Sequence, residues 1–277
     1  MPFQSDVVTL EVTGHIATIW LDRPDQRNAM GSALWTGLTD VAAAINNDRS
    51  IRCAVLAAKG RDFTVGLDLK EVGANLAGGG SSSGDSRAVA NHKTYQHIRE
   101  LQDAVTAIAH IRVPVIAAVH GYCLGGGVDL ISACDIRFAA DDAIFSIREA
   151  KIAIVADLGT LQRLPRLIGA GHVAELAYTA RDFSATYAEK IGLLNGVTGK
   201  GADKVLAHAM EVATEIAANP PLAVQGTKAV LSYNDGHTVH EGLEYVATHN
   251  TAYLQTNDLT EAMMAFMERR PGNFTGN

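Results

Sequence analysis

The sequence predicts a mixed α/β fold, in which a mostly parallel sheet with crossover helices is followed by a helical C-terminal region. Short apolar runs alternate with helical patterns over residues 1–200, and such alternation is typical of βαβ units with right-handed crossovers. From Asp203 onward only helical patterns remain. We therefore predict an α/β core over residues 1–200 and a helical region over residues 201–277.

Apolar and β-branched runs separated by turn residues predict the first elements of the chain. Thr13-Gly14 lies between two such runs and predicts a β-hairpin, and Ser32 is the expected N-cap of the first helix. The elements follow in chain order: strands at 7–12 and 16–21, a helix from Ser32 with apolar positions through Ile45, a strand at 51–57, and a long helix at 92–111.

A glycine- and serine-rich segment, residues 73–90, interrupts this alternation before the long helix. The run from Gly78 to Gly84 contains only glycine and serine, which is typical of flexible connections. The segment could link two domains, but strand patterns resume beyond it. We therefore predict a mobile loop within one fold.

The central stretch of the chain begins with an apolar run, residues 113–119, that predicts a buried strand. Gly125, Gly126 and Gly127 follow, and then a compact helical pattern at 128–134. A strand, a glycine turn and a helix form an anion-binding arrangement, because bare N–H groups point outward and the helix N-terminus favours negative charge. Three glycines also occur in simple tight turns, so the triplet alone leaves both interpretations open.

Three carboxylates follow the glycines, at Asp129, Glu149 and Asp157. Asp129 could simply stabilise the N-terminus of its helix through the helix dipole, and Glu149 could be a solvated acid. Asp157 stands in an apolar run, where an acid is costly to bury unless it is paired or neutral. A donor pocket for a developing anion, followed by several acids, suggests proton chemistry beside an enolate.

The rest of the chain predicts helices almost throughout. Gly169–Ala174 has the glycine spacing of a dinucleotide-binding fingerprint, with Glu189 as a candidate ribose ligand, but the residues before it look helical where that motif needs a strand. Ser184 is expected to cap a short helix. The predicted helices cover residues 161–168, 185–193, 203–218, 220–233, 238–256 and 258–268.

The composition argues against several classes of function. With a net charge of −7 and no cluster of basic and aromatic residues, the chain is not expected to bind nucleic acid. No apolar run reaches about 18 residues, so no membrane partner is expected. Cys53, Cys123 and Cys134 are expected to be free thiols in a reducing compartment. His237 and His240 lack a third ligand nearby, so no metal site is predicted.

Several motifs together resemble the crotonase, or enoyl-CoA hydratase/isomerase, superfamily over nearly the whole chain. The three acids and the Gly159–Pro165 run resemble its Δ3,5-Δ2,4-dienoyl-CoA isomerase branch. The ordinary hydratase has Glu at the first two acidic positions and a glycine-rich stretch at the third. The motifs are Ile16–Pro24, Asn28–Met30, Gly60–Leu69, His120–Asp129 and Cys134–Arg137.

The resemblance implies a crotonase-like ββα spiral core and a C-terminal helical trimerisation region. It also implies an isomerase of fatty acid β-oxidation that converts a 3,5-dienoyl-CoA to the 2,4-isomer. The backbone N–H groups of Leu67 and Gly126 would hold the thioester oxygen as an oxyanion hole. Glu149 would remove the proton at carbon 2, Asp157 would deliver one at carbon 6, and Asp129 would tune Glu149.

The same resemblance implies the binding partners. No resident cofactor is expected, because the substrate carries coenzyme A, and the chain should form a homotrimer or a homohexamer of two trimers. Because neither a secretory segment nor a peroxisomal address is recognisable, we expect a cytoplasmic protein. The residues expected to bind CoA or substrate are Arg27, Ala29, Val65, Asp68, Leu69, Lys70 and Gly125.

Two other functions stay open at this stage. Asp129 and Glu149 could flank a water in an enoyl-CoA hydratase, although Asp157 would then have no role. A non-catalytic CoA-binding or scaffold protein could also use this fold, because one fold hosts many functions.

Overall fold

The computed structural model describes residues 5–71, 73 and 86–277. Within them, a six-stranded sheet carries helices on both faces, and a three-stranded sheet lies beside it. The strands are β1 (Val8–Thr13), β2 (Ile16–Leu21), β3 (Cys53–Ala58), β4 (Val115–Val119), β5 (Tyr122–Leu124), β6 (Ile136–Ala140), β7 (Ile144–Ser146), β8 (Phe183–Ser184) and β9 (Gly196–Thr198). The helices are α1 (Ser32–Asn47), α2 (Arg87–Ala109), α3 (Gly126–Ser132), α4 (Thr160–Ile168), α5 (Ala170–Thr179), α6 (Ala185–Lys190), α7 (Ala202–Ala217), α8 (Pro221–Tyr233), α9 (Val239–Tyr253) and α10 (Asn257–Glu268), with short 3₁₀ helices at Pro24–Gln26 and Glu149–Ile152.

The large sheet has the strand order β1-β2-β3-β4-β6-β9, and every pair except the β1–β2 hairpin is parallel. The predicted mostly parallel sheet is confirmed. In the hairpin, Thr13 pairs with Ile16, so the turn contains Gly14 and His15 and lies one residue beyond the predicted position. The small sheet, β5-β7-β8, was not predicted, because its strands of two or three residues carry too little periodicity.

Alternate residues of the central strands face opposite layers, as the pleat requires. On β3, Val55 and Ala57 pack in one cluster with Ala209 and Ala213 of α7, whereas Leu56 packs in the cluster on the other face. Both faces are thus covered, which explains the continuous apolar runs of the parallel strands. This packing leaves the carboxyl ends of the strands free to carry loops.

The N-terminal ends of the first two helices differ from the prediction. Gly31 occupies the N-cap position of α1, and the N–H and hydroxyl of Ser32 face the carboxylate of Glu71. The prediction of Ser32 as N-cap is wrong, because an acid from a later loop supplies the acceptor. Helix α2 starts at Arg87 with Ser86 as its cap. Most of the predicted mobile loop lies outside the described residues.

The helices α8, α9 and α10 confirm the helical pattern predicted for the end of the chain. Lys228 fastens α8 to the body: its Nζ donates to Asp135 Oδ2 at 2.7 Å and to the Val113 carbonyl at 3.0 Å. Large apolar side chains on α10 stay exposed, and Phe266 is 85% exposed. The division into core and tail at residue 200 stays a prediction, although α7 itself packs on the sheet.

Within residues 5–71, 73 and 86–277, no helix has the length and apolar character that a membrane crossing requires. In the same ranges, the His, Cys, Asp and Glu side chains form no group of three suited to a metal ion. Cys53, Cys123 and Cys134 are buried free thiols, as predicted.

Candidate active site

Gly125 turns the chain from β5 into α3. Its backbone angles, φ 53° and ψ −118°, are open to glycine and strained for other residues. A methyl group here would lie 3.2 Å from Oε1 of Glu149, so that carboxylate lies directly against the turn. The predicted order of strand, glycine turn and helix is confirmed, with β5 inserted before the turn. Because α3 begins at Gly126, the N–H of this residue has no partner within the helix.

The loop after β3 pairs with β5 and therefore runs beside the glycine turn. The N–H of Thr64 donates to the Tyr122 carbonyl at 2.9 Å, and the Leu124 N–H donates to the Thr64 carbonyl at 3.1 Å. The Thr64 hydroxyl also donates to the Asn28 carbonyl at 2.6 Å. These bonds fix the start of the loop against the strand that leads into the turn.

Leu67 lies in this loop with its N–H free. The Met30 N–H donates to the Gly66 carbonyl at 2.8 Å, and the Met30 carbonyl accepts the Asp68 N–H at 3.1 Å. Gly66 has φ 83°, and a methyl group there would lie 2.7 Å from the Leu124 carbonyl oxygen, so the two backbones approach very closely. Among the described residues, neither the Leu67 nor the Gly126 N–H donates a hydrogen bond. Two such groups on neighbouring segments suit a carbonyl oxygen that gains negative charge.

Asp129 lies in the first turn of α3 and is only 1% exposed. Its Oδ1 accepts the backbone N–H of Thr160, the first residue of α4, at 2.6 Å. Burial raises the pKa of Asp129 to about 6, although the hydrogen bonding of Thr160 and the charge of Arg163 oppose the rise. The carboxylate thus joins two helices, and the hydrogen bond to Thr160 occupies one of the oxygens that catalysis could use.

Glu149 begins the 3₁₀ helix that follows β7. Its Oε2 atom is buried and has no hydrogen-bond partner in the described part of the chain. Burial raises the pKa of Glu149 to about 7, and the charges of Asp129 and Asp157 add to the rise. An unpaired carboxylate that titrates near neutral pH is suited to act as a general base.

Asp157 is half-buried between Ala156 and Leu158, whose side chains are buried in the core. Burial raises its pKa, and the described residues include no cation paired with its carboxylate. Its charge in turn raises the pKa values of Asp129 and Glu149. The structure therefore brings the three sequence-predicted acids into one electrostatic cluster, which titrates as a set.

The residues expected to bind CoA lie on two segments that are fastened to each other. Arg27 is paired with Asp62 at 2.6 Å, and its carbonyl accepts the Val65 N–H at 3.2 Å. Ala29 is buried, and its carbonyl accepts from Arg23 at 3.1 Å. The guanidinium of Arg27 thus already has an anionic partner, but its side chain stays 43% exposed.

The following residues of the loop divide into a buried anchor and an exposed edge. Asp68 is buried, pairs with Arg23 at 3.0 Å and accepts the Lys70 N–H at 3.1 Å. Leu69 and Lys70 are exposed. Asp68 therefore shapes the loop, and contact between these residues and CoA stays a prediction.

Sequence reasoning missed three side chains that surround the Asp157 segment. Gln102 on α2 donates from Nε2 to the Asp157 carbonyl at 2.7 Å. Arg163 on α4 donates to the Leu158 carbonyl at 3.1 Å and to the Thr106 hydroxyl at 3.0 Å. Arg163 lies within the Gly159–Pro165 run that resembles the family, but Gln102 and Thr106 carry no local signal.

The glycine motif at the start of α5 has no dinucleotide-binding context. Helix α4, ending at Ile168, precedes it where a strand is required. Glu189, the candidate ribose ligand, instead accepts the Val197 N–H at 3.2 Å. The prediction that the residues before this motif are helical is therefore confirmed.

Known proteins resemble the chain along nearly its whole length. The sequence profile described as enoyl-CoA hydratase/isomerase matches residues 11–277. The chain is 40% identical over 262 residues to the mitochondrial Delta(3,5)-Delta(2,4)-dienoyl-CoA isomerase of Dictyostelium discoideum, which covers 95% of this chain and 88% of that protein. It is 39% identical over 269 residues to the peroxisomal Delta(3,5)-Delta(2,4)-dienoyl-CoA isomerase of Arabidopsis thaliana, with 97% and 96% covered. The crystal structure of enoyl-CoA hydratase from Bacillus anthracis matches with a TM-score of 0.87 at 32% identity, covering 98% of this chain and 100% of that one.

These relatives contradict the predicted location. We expected a cytoplasmic protein, but the two similar isomerases are a mitochondrial and a peroxisomal protein. The prediction is wrong, because a targeting address is read by a receptor and leaves no mark on the composition or the fold.

Proposed function

The chain belongs to the enoyl-CoA hydratase/isomerase family, and from that membership we propose that it isomerises a 3,5-dienoyl-CoA to a 2,4-dienoyl-CoA in fatty acid β-oxidation. The observation that carries the proposal is the position of Asp157. This acid is half-buried, unpaired within the described residues and electrostatically coupled to Glu149 and Asp129. Moving a proton from carbon 2 to carbon 6 needs a second acid away from the first, whereas hydration uses two acids beside one double bond and leaves Asp157 without a role.

The first step is removal of a proton from carbon 2 of the thioester. Glu149, with its pKa raised by burial to about 7, takes this proton as the base. The electrons move into a trienolate that extends from the thioester oxygen to carbon 6, and its oxygen accepts hydrogen bonds from the N–H groups of Leu67 and Gly126. Donors of this kind are each worth about 3 kcal/mol in the transition state.

The second step is protonation at carbon 6. Burial raises the pKa of Asp157 and so favours its protonated form, and this acid delivers a proton to carbon 6, the far end of the trienolate. The product has double bonds at carbons 2 and 4. Glu149 is then protonated and Asp157 ionised, and one proton passed back through the acid cluster or solvent restores the starting state.

The remaining residues adjust the pKa of Glu149 or bind the CoA thioester. Asp129, held by Thr160, raises the pKa of Glu149 beyond the effect of burial. The segment around Arg27, Ala29 and Gly125 and the loop at 65–70 bind the CoA thioester. No resident cofactor is required, because the carboxylates carry out both proton transfers and the backbone donors stabilise the thioester oxygen.

Enoyl-CoA hydratase is the alternative function, and one observation favours it: the similar solved structure from Bacillus anthracis is an enoyl-CoA hydratase. Asp129 and Glu149 would then flank a water. The fixing of the Asp129 carboxylate by Thr160 at 2.6 Å argues against that use, because it ties one carboxylate oxygen to the protein.

Ultraviolet absorbance separates these functions. We expect the purified protein to convert 3,5-octadienoyl-CoA to the conjugated 2,4-isomer, with weaker or absent hydration of crotonyl-CoA. Hydration of crotonyl-CoA without dienoyl conversion would overturn the proposal in favour of a hydratase. Inertness toward both thioesters, with CoA still bound, would favour a non-catalytic CoA-binding protein.

We also propose that the active form is a homotrimer or a homohexamer of two trimers. The exposed apolar side chains of the C-terminal helices support assembly, with Phe266 85%, Leu243 60% and Met263 60% exposed. Patches of this kind mark protein interfaces. Sedimentation equilibrium tests the proposal, and a monomer at micromolar concentration would contradict it.

A further inference from the structure

The carboxylate of Asp157 has no side-chain partner in the described residues, so its position depends on its backbone. The side chains on either side, Ala156 and Leu158, are buried in the core. Asp157 between them is only half-buried. A proton donor for a distant carbon must be held accurately, because a displacement of about 1 Å can cost a factor of about 100 in rate.

Three hydrogen bonds hold the backbone of this segment, and each comes from a different element. The Thr160 N–H donates to Asp129 of α3 at 2.6 Å. The Leu158 carbonyl accepts from Arg163 of α4 at 3.1 Å. The carbonyl of the acid itself accepts from Gln102 of α2 at 2.7 Å. The first two bonds lie beyond the acid, and the third is made at the acid's own peptide.

The amide of Gln102 is itself oriented. Arg99, one turn earlier on α2, donates from Nη1 to Gln102 Oε1 at 2.8 Å. Because that oxygen is taken as the acceptor, the NH₂ group of the amide must face the Asp157 carbonyl. Helix α2 is far from the three acids in sequence, yet it places an oriented amide donor on the segment that carries Asp157.

We propose that Gln102 is a positioning residue for Asp157, which holds the second acid at the distance that protonation at carbon 6 requires. The inference rests on the proposed isomerase function and adds a residue that the family motifs do not include. Among the described residues, no hydrogen bond joins Gln102 to Glu149 or to the proposed oxyanion donors, so its loss should affect the second proton transfer and leave the first unchanged.

The test uses the Gln102→Met variant, which keeps the length of the side chain and removes the donor. Gln96→Met is the matched control, because Gln96 is an exposed glutamine on the same helix. Each protein is incubated with 3,5-octadienoyl-CoA in D₂O. Deuterium entering carbon 2 of recovered substrate measures the first step, and absorbance of the 2,4-diene measures the complete reaction. Thermal unfolding confirms that all three proteins are folded.

We expect Gln102→Met to lose at least about ten-fold in conversion, with carbon-2 exchange within about two-fold of the wild type and of Gln96→Met. Gln102→Asn, whose amide is one methylene shorter, should show the same split. Unchanged conversion would overturn the inference, and so would an equal loss of exchange and conversion, because that result indicates a general loosening of the site. If the wild type exchanges carbon 2 but never forms the 2,4-diene, the proposed function itself fails.

Discussion

The backbone N–H of Thr160 donates to Oδ1 of Asp129 across 2.6 Å. This bond joins the start of α4 to the first turn of α3, and so connects the segment that carries Asp157 to the helix that begins at Gly126, the proposed oxyanion donor. Asp129 therefore serves both as a structural acceptor and as a buried charge that acts on Glu149. Replacing Asp129 by asparagine separates these two roles.

Asp129→Asn removes the charge and keeps an oxygen that accepts the Thr160 N–H. Burial is the larger cause of the raised pKa of Glu149, and the charge of Asp129 adds to it. The ascending limb of the pH profile of kcat/KM should have its midpoint near pH 7 in the wild type and at lower pH in the variant. An exposed acid on α2 provides the control, Asp103→Asn, which should leave the midpoint in place. A midpoint that stays or rises in Asp129→Asn would contradict the coupling.

Glu149→Gln should stabilise the protein more at high pH than at low pH. The folded-state pKa of about 7 lies above the ordinary value of about 4.3. Ionisation therefore costs stability as the pH rises from about 4 to about 7, and the cost is constant at higher pH. The difference in free energy of unfolding between variant and wild type, measured in urea, should grow by roughly 1–3 kcal/mol between pH 5 and pH 8. A constant or shrinking difference would contradict the raised pKa.

Gly66→Ala should displace the N–H of Leu67, the proposed oxyanion donor next to it. Gly66 has φ 83°, and the added methyl group would lie 2.7 Å from the Leu124 carbonyl oxygen, so the Leu67 N–H must move. We expect a loss of about 100- to 1000-fold in kcat, beyond the conformational cost of about 1–2 kcal/mol. Gly14→Ala is the matched control. Its φ is 59° with no atom within 4 Å, so it should lose stability but keep full activity per folded protein.

Much of the fold follows from local patterns in the sequence. The runs of β3 and β4 are continuous and apolar because α7 covers one face and the main cluster covers the other. The glycine turn follows from the backbone angles that Gly125 and Gly66 adopt. The small sheet and the N-cap of α1 escaped prediction, because two-residue and three-residue strands lack periodicity and Glu71 reaches Ser32 from a later loop.

The candidate site was only partly predictable. Asp157 was recognisable because burying an acid within an apolar run costs free energy unless the acid is paired or neutral. The bond from Thr160 to Asp129, and the donor of Gln102, join residues far apart in the chain. Thr160 lies in the Gly159–Pro165 run, but that run does not reveal its bond to Asp129, and Gln102 has no unusual local context. Only the tertiary structure therefore shows that these residues hold the acids.

The central claim is that Asp157 is the second proton-transfer group, and the Asp157→Asn variant tests it most directly. With 3,5-octadienoyl-CoA in D₂O, we predict that deuterium still enters carbon 2 within a few-fold of the wild-type rate, while formation of the 2,4-diene falls by at least about 100-fold. Formation of the diene at the wild-type rate would contradict the account.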